Sequence, residues 1–321
     1  MIDPRSCLGR ALAGSLAWVA ALLCVPAAAA DAAAPTEPTS PSKDGLWFDD
    51  LAQTSLAELQ AAGWQIRSAP GHPGVAGARW GSEAPQLLRD PADPDRHWLR
   101  LQARTDGTPE GTAQTQLCHQ RRLWRGTTAA RIRFNDMPAA GQDGDPVIQT
   151  FYSVAPLRHD LDPLFSEVDF EYLPNGGWGS PAQRLYALSW QTVQIEPWQA
   201  WNSSHEAPGS LDGWHVLMHQ VTDSDVRMYL DGRLLARHAG RHVPVQSMAM
   251  SLNLWFSPGG LLPPSPGAPR VWQQDVDWVL HQAGESLSHE QVLARVQGLR
   301  AQGTLRHDGL PPATLDSPCN L

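Results

Sequence analysis

Residues 165–173 read FSEVDFEYL, with Glu167, Asp169 and Glu171 at every second position among Val168, Phe170 and Tyr172. A period of two is the pattern of a β-strand, which sends successive side chains to opposite faces. The apolar residues then turn to a core and the three carboxylates share the other face. Like charges on one strand face repel and raise one another's pKa, and no Lys or Arg within the run neutralises them. Over these residues alone, a solvent-facing acidic strand reads the same way. The continuation PNGGWG separates the two readings. Pro174, Asn175, Gly176 and Gly177 end the strand and allow a tight reversal at positive φ, and Trp178 follows at once. An indole beside clustered carboxylates suits a sugar ring, whose apolar face stacks on the aromatic while its hydroxyls bind the acids.

The remainder of the chain supplies partners for such a strand. HWLRLQAR (97–104), TAARIRFND (128–136), PVIQTFYSV (146–154), GWHVLMHQV (213–221) and MAMSLNLWF (248–256) alternate or run apolar between turn-forming clusters. In DVRMYLDGRLLARH the Asp231-Gly232 pair is a hairpin signal between two strand-like runs. SPGGLLPPSPGAPR (257–270) reads as a surface loop, because VWQQDVDWVLH resumes strand character after it. Helical spacing appears only near the end, where Ser288 and Gln291 fit a capping box and Val292, Leu293, Val296 and Leu299 recur before Gly303. The economical architecture is an all-β sandwich of two antiparallel sheets closed by one helix.

Arg5 and Arg10 precede the apolar run ALAGSLAWVAALLCV and the small residues AAAA, which reads as a secretory signal over 1–30, cleaved after Ala30. The run falls short of the roughly 20 apolar residues a membrane span needs. Residues 31–44 form a Pro-, Ala- and Thr-rich lead-in, 45–283 the sandwich, and 284–321 the C-terminal helix and tail. The expected product is a soluble monomer, secreted or periplasmic, with no membrane attachment once the signal is removed. A formal net charge of -9 argues against nucleic acid as a partner. The mature chain keeps only Cys118 and Cys319. Sequence leaves open whether they are separate thiols or a pair; in an oxidising compartment they are expected to pair and tie the tail to the sandwich. No CxxC or HExxH occurs, so zinc has no support.

The ordered motifs carry a family resemblance. The E-x-D-x-E run of Glu167, Asp169 and Glu171 resembles the catalytic strand of glycoside hydrolase family 16 in its form without a β-bulge. DGWHVLMHQVTDSDVRMYLDGRLL, SMAMSLNLWF and DVDWVLH are similar to further strands of that family, in the same order, over about residues 46–281. The resemblance implies a concanavalin A-like jelly roll and retaining cleavage of a β-linked polysaccharide. It would make Glu167 the nucleophile, Glu171 the general acid/base and Asp169 the residue between them. A transglycosylase using the same acids, or a lectin-like binder on the same sandwich, are the rival readings. No cofactor is implied for the chemistry, while the resemblance implies a structural calcium whose position corresponds to Asp277. The Trp-rich strand that usually precedes the catalytic one is absent, and Phe151 and Tyr152 are expected to take its place. Trp198 and Trp201, beside Pro197 and polar residues, read as loop residues and join Trp178 as expected sugar platforms.

Overall fold

The computed structural model describes residues 44–320. The expected signal peptide and nearly all of the lead-in lie outside the described residues. Within them the chain forms two stacked antiparallel sheets with a core between. The front sheet runs in the order Gln65–Ile66, Ala113–Leu123, Met248–Phe256, Val147–Val154, Glu167–Leu173, Arg184–Gln194 and Gln199–Pro208. In the back sheet the long strand Arg270–Ala283 pairs on one side with Gly126–Phe134. On its other side it takes Asp93–Thr105 along its first part and Leu46–Asp49 along its second. Gly213–Val221, Asp225–Leu230 and Arg233–Ala239 extend the sheet beyond Gly126–Phe134.

Period-two patterning decides which residues meet. Leu117, Leu252, Phe151, Phe170 and Leu185 from the front sheet pack against Leu99, Leu101, Ile132, Trp272 and Val279 from the back. Phe151 and Phe170 lie parallel on neighbouring strands with ring centroids 6.2 Å apart. Each such side chain stabilises the sandwich by roughly 1.5–3 kcal/mol through burial. The same registration forces Glu167, Asp169 and Glu171 to the outer face. Asp231 and Gly232 adopt φ of 49° and 80°, the left-handed pair that a two-residue hairpin turn needs.

The C-terminal helix, His289–Ala301, begins with the Ser288–Gln291 capping box and lays Val292 and Val296 on Phe48, Met218 and Trp278 of the back sheet. The chain after it returns to the sandwich. Arg306–Asp308 pairs with Leu46–Asp49, and Cys319 is bonded to Cys118 of the front sheet, with Cα atoms 5.5 Å apart. One strand differs from the sequence reading: QAWNSSHE, with Trp201, belongs to the edge strand Gln199–Pro208, while Trp198 lies in the turn before it. Its residues are exposed or half-buried along nearly the whole length, so no apolar alternation marks it in sequence.

Candidate active site

The acid strand, Glu167–Leu173, lies between two others, and registration sets the surroundings of each carboxylate. Glu167 stands between Val154 and Trp190, Asp169 between Tyr152 and Leu188, and Glu171 between Thr150 and Tyr186. All nine of these residues line one cleft of about 1000 Å³ on the front sheet. Glu167 and Glu171 are half-buried, whereas Asp169 is 3% exposed. In an extended strand the two Glu Cα atoms are about 13 Å apart, a gap that two long side chains leaning together shorten greatly.

Aromatic rings stand at both ends of the acid row. Beside Glu171, Tyr186 packs against Trp178 with centroids 5.0 Å apart. Gly176 and Gly177, at φ of 73° and 154°, make the reversal that carries Trp178 over the cleft, where it remains 47% exposed. A Cβ on Gly176 would collide with the backbone oxygen of Ser180, so this turn has no room for a larger residue there. Beside Glu167, Trp190 meets Trp198 edge-on at 6.2 Å, and Trp198 approaches His72 at 6.1 Å. Trp255 and Asn253 complete the floor from Met248–Phe256. Sequence reasoning did not select Trp190, Tyr186, Asn253 or Trp255. The alternation of MAMSLNLWF, with Leu252, Leu254 and Phe256 turned to the core, was a usable signal for the last two.

No ion pair joins any of the three carboxylates to a described cationic side chain; the pairs among the described residues lie elsewhere. Burial raises the Glu167 carboxyl well above the usual carboxylate range, and Asp169 adds to the rise. Glu171 is raised likewise, by burial first and then by Asp169 and Glu167. Asp169 is pushed up to about 7 by burial, with the indole N–H of Trp190 pulling the other way. The cluster therefore retains protons near neutrality, which suits one carboxyl to donate a proton while another acts as a carboxylate.

Three expected site residues are elsewhere. Phe151 is fully buried in the core, because it follows Thr150 and precedes Tyr152 on a strand whose cleft face those two occupy. Tyr152 does line the cleft, 8% exposed. Trp201 is on a strand whose Ala200 and Asn202 face the cleft, so its own ring faces away, with the Arg241 guanidinium 5.7 Å from its centroid. Asp277 accepts from Arg131 at 2.6 Å through one oxygen and from Arg300 at 2.8 Å through the other. A calcium ion there would meet two positive charges, so these residues do not fit one. No group of three or more His, Cys, Asp or Glu among the described residues is arranged to hold a metal.

No family model matches the sequence, and no curated protein matches it. Solved structures do. A prokaryotic β-1,3-1,4-glucanase (lichenase) from a mouse hindgut metagenome is 16% identical with a TM-score of 0.52, covering 74% of this chain and 98% of its own. Bacillus licheniformis β-glucanase is 13% identical with a TM-score of 0.52, covering 75% and 99%. A glycoside hydrolase family 16 endo-glucanase from Bacteroides ovatus is 12% identical with a TM-score of 0.53, covering 72% and 98%. At such identities the likeness is one of architecture: the described chain has the jelly-roll fold of the family 16 glucanases.

Proposed function

We propose that the protein is an exported retaining glycoside hydrolase that cleaves a β-linked polysaccharide, a β-glucan or a close relative. The observation that carries this reading is the row of three unpaired carboxylates on one strand face, inside a cleft with indole and phenol rings at both ends. Structural acids are normally paired; these are available to substrate. Retaining hydrolysis needs two carboxyls about 5–5.5 Å apart at the sugar carbon, on opposite sides of the bond that breaks. Glu167, as carboxylate, attacks the anomeric carbon while Glu171 gives its proton to the departing glycosidic oxygen. Water then attacks the glycosyl–Glu167 ester, returning its proton to Glu171 and releasing a sugar of unchanged configuration. Asp169, between them, favours the proton on Glu171 and holds the charge balance of the row. Trp178, Tyr186, Trp190 and Trp198 stack sugar rings on either side. Export is supported by the signal-like N-terminus and by the Cys118–Cys319 bond, which suits an oxidising compartment.

Product analysis on laminarin and lichenan tests this directly. Shorter chains whose new ends first appear as the β-anomer are expected, and Ala in place of Glu167 should be rescued by azide with inverted product. Longer chains would assign transfer to a sugar hydroxyl instead of water. Binding without new chain ends would reduce the protein to a glycan-binding module.

A further inference from the structure

Among the described residues Arg67 is the one Arg or Lys lining the cleft, and it is 4% exposed. Its guanidinium stacks over Trp80 at 4.1 Å and donates to Ala69 O at 2.9 Å, Gln116 Oε1 at 3.0 Å and His72 O at 3.0 Å. All three acceptors are neutral, and no ion pair joins Arg67 to a described carboxylate. Arg121 is likewise buried with only neutral acceptors, but it does not line the cleft, whereas Arg100, Arg131, Arg270 and Arg300 each reach an Asp. A buried guanidinium without a counter-charge is expensive, and three fixed acceptors hold it in place with N–H groups to spare. Its position relative to the acids follows from the sheet. Gln116, Asn253, Thr150 and Glu171 form one row across four strands, and all four line the cleft. At ~4.8 Å per strand, Arg67 above Gln116 is about 14 Å from the acid strand, a few sugar rings from the bond to be cleaved.

Resting on the hydrolase reading, we infer that the substrate carries an anionic substituent, a carboxylate or a sulfate ester, on a sugar seated beside Arg67. A planar guanidinium fork pairs two oxygens of such a group and supplies the counter-charge that the fold withholds. The anion also meets the charge of the acid row only at a distance, so recognition and catalysis do not oppose each other.

Titration calorimetry and initial rates test this with laminarin oligosaccharides in three forms: unmodified, oxidised at C6 to the uronate, and sulfated. Wild-type protein is expected to bind one anionic form roughly ten- to a hundredfold more tightly than the neutral one; which anionic form wins distinguishes carboxylate from sulfate. Arg67→Gln should erase that preference while cleaving the neutral oligosaccharide at close to the wild-type rate. Because Arg67 is buried, Gln116→Glu is the companion variant. It keeps the volume, leaves the guanidinium in place and gives it an internal carboxylate, so it should erase the preference as well. Equal or tighter binding of the neutral form by wild-type protein overturns the inference and leaves the hydrolase intact. Preferential anion binding without cleavage keeps the inference and removes the hydrolase. Binding of none of the three overturns both.

Discussion

Two strands of this sandwich carry acids in alternation, VDFEY on the front sheet and QDVDW on the back, and burial does not separate Asp169, 3% exposed, from Asp275 and Asp277, each 2%. Partners do. On the back, Asp275 is bonded twice to Arg100, at 2.6 and 2.8 Å, and Asp277 is shared by Arg131 and Arg300, the latter also holding Asp50. Arg300 comes from the C-terminal helix, so Asp277 and Asp50 fasten the helix to the sheet, while Asp275 ties two neighbouring strands together. On the front, no guanidinium among the described residues pairs with Glu167, Asp169 or Glu171, and burial raises the pKa of all three, with neighbouring carboxylates adding to the rise at Glu167 and Glu171. Acids at the same spacing are thus fasteners where a cation is supplied and, in the proposed function, reactive groups where one is withheld.

The comparison breaks most readily at the acids themselves. Glu167→Gln and Glu171→Gln should each lower turnover by about 10³-fold or more, since the nucleophile or the proton donor is gone while the volume is kept. Stability should move the opposite way. A carboxyl whose folded pKa lies above its unfolded value withdraws stability as pH rises from the unfolded towards the folded value. The Gln variants should therefore melt higher than wild type at about pH 8 and match it at about pH 4, below the range where the wild-type carboxyls ionise. A lower melting temperature at the alkaline pH would make these acids structural.

The back sheet should answer in reverse. Asp277→Ala leaves Arg131 and Arg300 without their shared carboxylate. The loss is expected at about 2–4 kcal/mol, below the full range for a buried pair because both arginines keep part of their surface in water. Activity per folded molecule should be unchanged. Chelator should not alter the melting curve of the wild-type protein, and a chelator-sensitive transition restored by calcium would return Asp277 to a metal role.

What was legible in the sequence was whatever one strand states about itself. VDFEY and MAMSLNLWF alternate cleanly because one face is core, and Ser288 with Gln291 announces a helix because a cap is a local event. Phe151 was misplaced although the rule that excludes it was at hand: beside Tyr152 on one strand, only one of the two can face the cleft. Trp201 was misread because an edge strand with two wet faces carries no pattern. The partners of Asp277 stand 146 and 23 residues away, and Arg67 reaches the cleft from a loop about 100 residues before the acid strand. Nothing in the neighbourhood of either residue announces such a meeting.

Trp178 sharpens the comparison at the cleft rim, where its exposure and contact with Tyr186 suit the sugar platform of the proposed function better than a buried plug. Trp178→Ala should weaken binding of a long oligosaccharide by about 1–2 kcal/mol, raising KM with little change in Tm. A fall in Tm with unchanged KM would assign the ring to structure.

The smallest effect expected is a displacement of the pH profile, and it reports on the charge between the two glutamates. Repulsion from Asp169 raises the carboxyl pKa of both Glu167 and Glu171. Asp169→Asn removes that charge with little change in volume, so both values fall. The acid limb of the rate profile follows ionisation of Glu167 and the alkaline limb follows loss of the proton from Glu171. Both limbs should therefore move to lower pH, the alkaline one by about one pH unit or less, since burial, the larger cause, is untouched. Profiles normalised to their own maxima separate this shift from any fall in turnover. An alkaline limb that stays in place, or moves up, would show that Asp169 does not set the proton affinity of Glu171 and would leave burial alone to account for it.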